Sequence, residues 1–217
     1  KDGFVYFGGG NGRSFTKRDI YAVGAPPAGV GWSRNVLNLP LTGNTDYTCS
    51  VILTCGSDEV VFLGTSAGAV YALDAATGLN YAGWTVNPVM VDGDTWHGIS
   101  SNGSDVIYVS TSGSFGTGNA TFYALDACTG DVLWTLGEGD LYGPDLSGLA
   151  DPGEAFRAGA AVDLDGSIYF QTLFANTAGA PSGGRYRVDP TGDIVRGEGH
   201  KYTGFGFPVL DGNIALY

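Results

Sequence analysis

Short apolar runs recur along the chain, and each is closed by small or polar residues. They are Phe4-Val5-Tyr6-Phe7-Gly8, Val60-Val61-Phe62-Leu63-Gly64, Val106-Ile107-Tyr108-Val109-Ser110, Ser167-Ile168-Tyr169-Phe170-Gln171 and Asn213-Ile214-Ala215-Leu216-Tyr217. Their β-branched and aromatic content predicts strands. Apolar residues follow one another instead of alternating with polar ones, so both faces of these strands are expected to be buried. Most follow a turn signal, namely Asp2-Gly3, Ser104-Asp105, Asp165-Gly166 or Asp211-Gly212. Asp-Gly suits a hairpin turn whose central residues need positive φ. A further short strand is predicted ahead of each run, at 49–53, 98–101, 158–162 and 205–210. No segment carries a helical period with caps at its ends.

A repeated phrase follows the apolar runs. Val70-Tyr71-Ala72-Leu73-Asp74-Ala75-Ala76-Thr77-Gly78 returns as Phe122-Tyr123-Ala124-Leu125-Asp126-Ala127-Cys128-Thr129-Gly130. Weaker copies are Tyr186-Arg187-Val188-Asp189-Pro190-Thr191-Gly192 and Ile20-Tyr21-Ala22-Val23-Gly24. The four tyrosines are 50, 52 and 63 residues apart, a period typical of repeat architectures. Beyond the Thr-Gly turn a fourth strand is predicted, bearing Trp84 in one repeat and Trp134 in the next. The unit is thus four antiparallel strands, A to D, and its recurrence predicts an all-β fold, a β-propeller with about four blades in this chain. The blades are expected at approximately 1–47, 48–95, 96–155 and 156–204, with a further one starting at 205–217, in a single partial domain over 1–217. The chain starts and stops in a B strand. An open propeller leaves sheet faces and edges exposed, so the expectation is a piece of a larger ring, or a ring completed by a partner chain.

With Asp58-Glu59 and the run after it leading into the phrase at 70–78, the chain resembles the pyrroloquinoline-quinone-type propeller repeat family. The tryptophan-docking motif of that family reads Ala-x-Asp-x-x-Thr-Gly-x-x-x-Trp. Ala124, Asp126, Thr129, Gly130 and Trp134 match it throughout, while Ala72, Asp74, Thr77 and Gly78 match with Trp84 two residues late, which predicts a longer turn or a bulge. The fourth repeat is one residue short before Thr191-Gly192 and has Arg196 in the tryptophan position. The first keeps Ala22 and a correctly spaced Trp32 but lacks the Asp and the Thr-Gly. The resemblance spans essentially the whole chain. It implies a ring of about six to eight blades in which each indole stacks on the neighbouring blade. The residue types also make sense alone: Gly frees the turn backbone, Asp caps turn amides, and Trp buries on the order of 200 Å2.

For its enzymes, the resemblance implies quinone and Ca2+ on the propeller axis, a disulfide between adjacent cysteines, a Glu/Asn pair on the Ca2+ and a catalytic Asp. Here no two cysteines are adjacent, and the Glu/Asn/Asp set has no counterpart. Cys49, Cys55 and Cys128 allow a Cys49–Cys55 disulfide with Cys128 left over, or three buried thiols.

Net charge is −12. That disfavours nucleic acid, which is held by Lys/Arg patches, and anionic membrane surfaces. No apolar stretch approaches the roughly 18 residues of a membrane-spanning helix, so no direct membrane insertion is expected. Lys1 is not an initiator, so the chain is read as processed or as a segment. Asn102-Gly103-Ser104 and Asn119-Ala120-Thr121 make Asn102 and Asn119 possible glycosylation positions in a secretory setting. Asp163-Leu164-Asp165-Gly166 lacks the distal Glu of a calcium loop and reads as a hairpin turn. Trp96-His97-Gly98 opens an A strand, with His97 read as structural. The connection after Trp134 holds Glu138, Asp140, Tyr142, Asp145, Asp151 and Glu154 and reads as a solvated insertion.

These features predict a non-catalytic propeller, extracellular, cell-surface or periplasmic, that serves as a scaffold for protein partners or for the remaining blades. No catalytic, cofactor-binding or metal-ligating residue is assigned. The alternatives are a fragment of a PQQ- and calcium-dependent alcohol or sugar dehydrogenase and a carbohydrate-binding surface protein.

Overall fold

A computed structural model describes residues 4–9, 14–19, 30–35, 50–95, 98–112, 120–137, 140, 156, 159–172, 184–199, 209–211 and 214–216. Every element among them is a β-strand. A three-stranded sheet joins β1 (Phe4–Gly9), β2 (Ser14–Asp19) and β3 (Val30–Asn35). Three four-stranded antiparallel meanders follow. The first holds β4 (Val51–Cys55), β5 (Asp58–Gly64), β6 (Ala69–Asp74) and β7 (Val89–Met90). The second holds β8 (Ile99–Ser101), β9 (Val106–Ser110), β10 (Thr121–Asp126) and β11 (Val132–Gly137). The third holds β12 (Ala161–Val162), β13 (Ile168–Gln171), β14 (Gly184–Val188) and β15 (Ile194–Gly199). A final pair is β16 (Val209–Asp211) with β17 (Ile214–Leu216). The strands β4, β8, β12 and β16 approach one another. They line the axis, and β7, β11 and β15 form the rim. This is the architecture of propeller blades; the sheets are called blades one to five below.

Successive side chains on a strand point to opposite faces, which gives the repeated phrase a physical reading. Its Tyr and Leu face the preceding blade: Tyr71 and Leu73 pack with Tyr6 of blade one, while Tyr123 and Leu125 join the blade two–three cluster. Tyr186 and Val188 face blade three in the same way. Its Ala faces the following blade, as Ala72 and Ala124 do. The continuous apolar B strands are used on both sides: Val60 and Phe62 face forward and Val61 and Leu63 backward, all fully buried.

Two strand expectations are corrected by the pairing register. In blade three the β10–β11 ladder slips after Ala124, which pairs Trp134; blade four slips after Arg187, which pairs Arg196. Blade one slips after Lys17, which pairs Trp32. Lys17-Arg18-Asp19 is therefore the counterpart of Ala124-Leu125-Asp126, and the first repeat does possess the Asp. The Tyr-Ala copy at 20–24 lies outside the described residues. The sequence misled because the first repeat has a longer C-to-D connection, so the aromatic match sits one turn late.

The second correction concerns Trp84, which is not on a D strand. After the Leu73–Asn80 bridge the chain leaves the ladder and rejoins it at β7, where Val89 pairs Val70 and Met90 pairs Ala69. Asn87 fills the gap. Its side-chain carbonyl accepts from the Ala72 N–H at 3.3 Å and its amide donates to the Ala72 carbonyl at 2.6 Å. One carboxamide thus stands in for a peptide of the fourth strand: it satisfies the Ala72 N–H and shares the Ala72 carbonyl with the Tyr81 amide.

Candidate functional site: the seams between blades

The motif residues meet at the seams. Trp84 is buried to 4 % exposure, with its ring 5.8 Å from Phe62 of its own blade. Its Nε1–H donates to the Ala127 carbonyl of blade three at 2.8 Å. The indole covers Gly130, where an added Cβ would sit 2.8 Å from the Trp84 ring. Trp134 repeats this one blade on: Nε1–H donates to the Pro190 carbonyl at 3.0 Å, and a Cβ on Gly192 would lie 2.9 Å from its ring. Gly130 and Gly192 also adopt φ of +81° and +96°. Each glycine is therefore required twice, for the turn and for the indole. The ring centroids of Tyr108 and Phe122 each lie 6.0 Å from Trp134, and the small Ala124 leaves room for it.

The Asp and Thr of each phrase shape the turn that receives the indole. Asp74 Oδ1 accepts the Thr77 amide at 2.7 Å and the Thr77 hydroxyl at 2.6 Å. Asp126 Oδ1 accepts the Cys128 and Thr129 amides at 2.9 and 2.8 Å. Asp189 Oδ1 accepts the Thr191 amide and hydroxyl and the Asp193 amide.

A disulfide closes the blade two–three seam. Cys55, at the end of β4, is bonded to Cys128, in the turn after β10, with Cα atoms 5.3 Å apart. This corrects the sequence expectation, which weighed Cys49–Cys55 or three thiols; Cys49 lies outside the described residues. Cys128 follows Ala127, the acceptor of the Trp84 indole, so bond and indole fasten the same turn.

A third recurring seal escaped the sequence reading. A threonine ends the B strand of three blades: Thr65, Thr111 and Thr172, 1 %, 0 % and 1 % exposed. The Thr111 hydroxyl donates to the Thr121 carbonyl at 2.9 Å and accepts the Thr121 amide at 2.8 Å. Thr172 accepts the Gly184 amide at 3.0 Å, and Thr65 accepts the Ala69 amide at 3.4 Å. The available signal was an aromatic three residues earlier each time, at Phe62, Tyr108 and Tyr169. The loop between blades two and three adds its own stitches. Thr95 donates to the Thr65 carbonyl, Asp94 pairs Ser112, and the Asp92 carboxylate accepts from the Tyr123 and Thr121 hydroxyls.

Asn102 is spent on its own turn. Its side-chain carbonyl accepts the amides of Ser104, Asp105 and Val106, and its amide donates to Asp105 at 2.7 Å. Asp163 to Gly166 forms the β12–β13 turn, with the Asp165 carboxylate accepting the Ser167 amide. Asp140 accepts the Gly137 amide at 2.8 Å. Asn119, Trp96, His97, Glu138, Tyr142, Asp145, Asp151 and Glu154 lie outside the described residues. Among the described residues no three His, Cys, Asp or Glu side chains are grouped so as to hold a metal ion.

These bonds set a pH window. The Asn102 amide holds the Asp105 carboxyl below the usual range, the Ser167 amide does so for Asp165, and the Thr191 hydroxyl for Asp189. Carboxyls with lowered folded-state values add stability above the unfolded value of about 4 and lose it as pH falls further. Burial, then the bond to Asp92, pushes Tyr123 up to about 12. Its contribution is complete below the unfolded value of about 10 and is lost as pH rises from there. Thermal melts across pH are expected to show a plateau between about pH 5 and 9 that falls on both sides. Tyr123→Phe removes its share of the alkaline limb; an unchanged limb contradicts the assignment.

No family model and no curated protein matches the sequence. Solved structures do match in fold. A europium-containing methanol dehydrogenase superposes with a TM-score of 0.63 at 16 % identity, over 94 % of this chain and 41 % of that one. The quinohemoprotein alcohol dehydrogenase from Comamonas testosteroni gives 0.58 at 14 %, over 91 % and 33 %. BamB from Moraxella catarrhalis gives 0.53 at 18 %, over 91 % and 45 %. The chain has the fold of part of a larger β-propeller and spans less than half the length of these structures. At such identities the likeness is one of fold.

Proposed function

We propose that the chain is part of a non-catalytic propeller that serves as a scaffold for protein partners, with blades divided at about 47, 95, 155 and 204. The observation that carries this reading is where the motif chemistry goes. The indoles, the Asp carboxylates and the Thr hydroxyls of the repeated phrase are bonded within the seams or their own turns, while the buried Tyr71 hydroxyl has no hydrogen-bond partner among the described residues. Ala72, Asp74, Thr77, Gly78, Trp84, Ala124, Asp126, Thr129, Gly130 and Trp134 are read as blade-docking residues, not as a site of chemistry. The cross-blade disulfide supports an extracellular, cell-surface or periplasmic setting, since such bonds persist in oxidising compartments.

The dehydrogenase alternative needs a quinone and Ca2+ site. Two observations among the described residues support the scaffold reading over this one. The disulfide joins cysteines 73 residues apart across one seam instead of adjacent ones, and the buried Thr95, Thr111 and Thr172 hydroxyls are bonded to backbone. No step is derived through either group. The test is to load the full-length protein with quinone and Ca2+ and follow dye-linked oxidation of alcohols and sugars. No turnover is expected. Turnover abolished by replacing an acidic residue near the axis overturns the reading.

A further inference from the structure

Charge is distributed unevenly along the chain. From Asn35 to Phe156 there is no lysine or arginine, yet 14 of the 22 acidic residues fall there. Blades two and three are therefore acidic in sequence, while blade four across the seam supplies Arg185, Arg187 and Arg196. The rim strand of blade three, β11, pairs on one side only among the described residues. At its start Val132 and Leu133 are 51 % and 50 % exposed. Carboxylates bracket it: Asp131 immediately before, and Asp140, which reaches back to the Gly137 amide. Beside its far end an open cleft of about 320 Å3 runs between the blades, lined by Thr135, Leu136 and Asp140 on one wall and Gly192, Asp193 and Ile194 on the other.

We propose that the β11 edge and this cleft form a docking surface for an extended, basic segment of a partner protein. The segment adds as a strand along β11 past the bulge that the register leaves at Leu133, covers Leu133 with an apolar residue of its own, and places a lysine or arginine between Asp140 and Asp193. Each part answers a feature of the surface. A free edge offers main-chain donors and acceptors to an extended chain, and side-chain pockets select its sequence. The acidic excess of blades two and three speeds the approach of a basic segment and disfavours an acidic one. The cleft is open and has both apolar walls and carboxylates, which suits the stem and head of a long cationic side chain. This inference rests on the scaffold reading and names the class of partner.

The test uses the full chain and two fluorescent peptides, one alternating Lys and Val and one alternating Glu and Val. The Lys-Val peptide is expected to bind at low salt and the Glu-Val peptide is not. Asp140→Asn with Asp193→Asn is expected to weaken binding about fivefold to tenfold, the effect of losing two solvent-exposed ion pairs. Leu133→Lys weakens it by a separate route, at a position outside the cleft, and melts of each variant check folding. No binding of the Lys-Val peptide sinks the proposal. So does binding that responds to salt but to neither variant, which is attraction to net charge alone, and so does equal binding of the Glu-Val peptide. Quinone-dependent turnover in the full-length protein overturns the scaffold reading whatever the peptides do, so the two failures are distinguishable.

Discussion

Trp84→Ala is expected to cost about 3–5 kcal/mol in denaturant unfolding, the range for emptying a buried tryptophan site. The side chain is 4 % exposed, lies against Phe62, and bonds the Ala127 carbonyl of the next blade. Removing it leaves a cavity and an unpaired carbonyl at once. Trp134→Ala is expected to cost less, because Trp134 is only half-buried although it makes the matching bond to Pro190. Gly130→Val tests the same contact from the other side. It forces a side chain onto a +81° φ and a Cβ into the Trp84 ring, and the backbone alone is worth about 1–2 kcal/mol. Unfolding curves in which Trp84→Ala and Trp134→Ala are equally mild would count against docking as the source of stability.

Breaking the Cys55–Cys128 bond is the second large effect. The two cysteines are 73 residues apart, and loop-closure entropy for a ring of that size predicts a loss of about 4 kcal/mol. Cys55→Ala with Cys128→Ala should reproduce the reduced protein, because alanine already occupies the equivalent turn position at Ala76. The comparison is unfolding of the oxidised protein, the reduced protein and the double variant. Identical curves for all three exclude the bond. The same seam holds Trp84, so combining Trp84→Ala with the double cysteine variant should cost less than the sum, as neighbouring changes do when they share partners.

What the sequence made legible was chemistry at fixed spacing. Asp126, Thr129, Gly130 and Trp134 lie within one turn and the strand that leaves it, so local rules describe them. The B strands were equally plain, because two-sided burial leaves an unbroken apolar run. Features that depend on blade juxtaposition were hidden. Cys55 and Cys128 meet only because β4 of one blade lies beside the β10–β11 turn of the next. Asn87 replaces a peptide of the ladder through its side chain, which no strand pattern encodes. The threonines Thr65, Thr111 and Thr172 precede Tyr71, Tyr123 and Tyr186 by 6, 12 and 14 residues. Variable hairpin lengths masked that repeat while the spacing from the aromatic of the B strand stayed constant. In blade one the longer C-to-D connection drew the alignment onto Tyr21 and away from Lys17-Arg18-Asp19.

Amide hydrogen exchange tests most directly whether the tryptophan of one blade holds the next. Local opening reports on cooperative units, and Trp84 belongs to blade two while its acceptor belongs to blade three. In Trp84→Ala, protection should fall in the turn after β10 and along β10 and β11, as well as around residue 84 itself. Loss of protection confined to residues 69–90, with blade three exchanging as in the parent, would contradict the account.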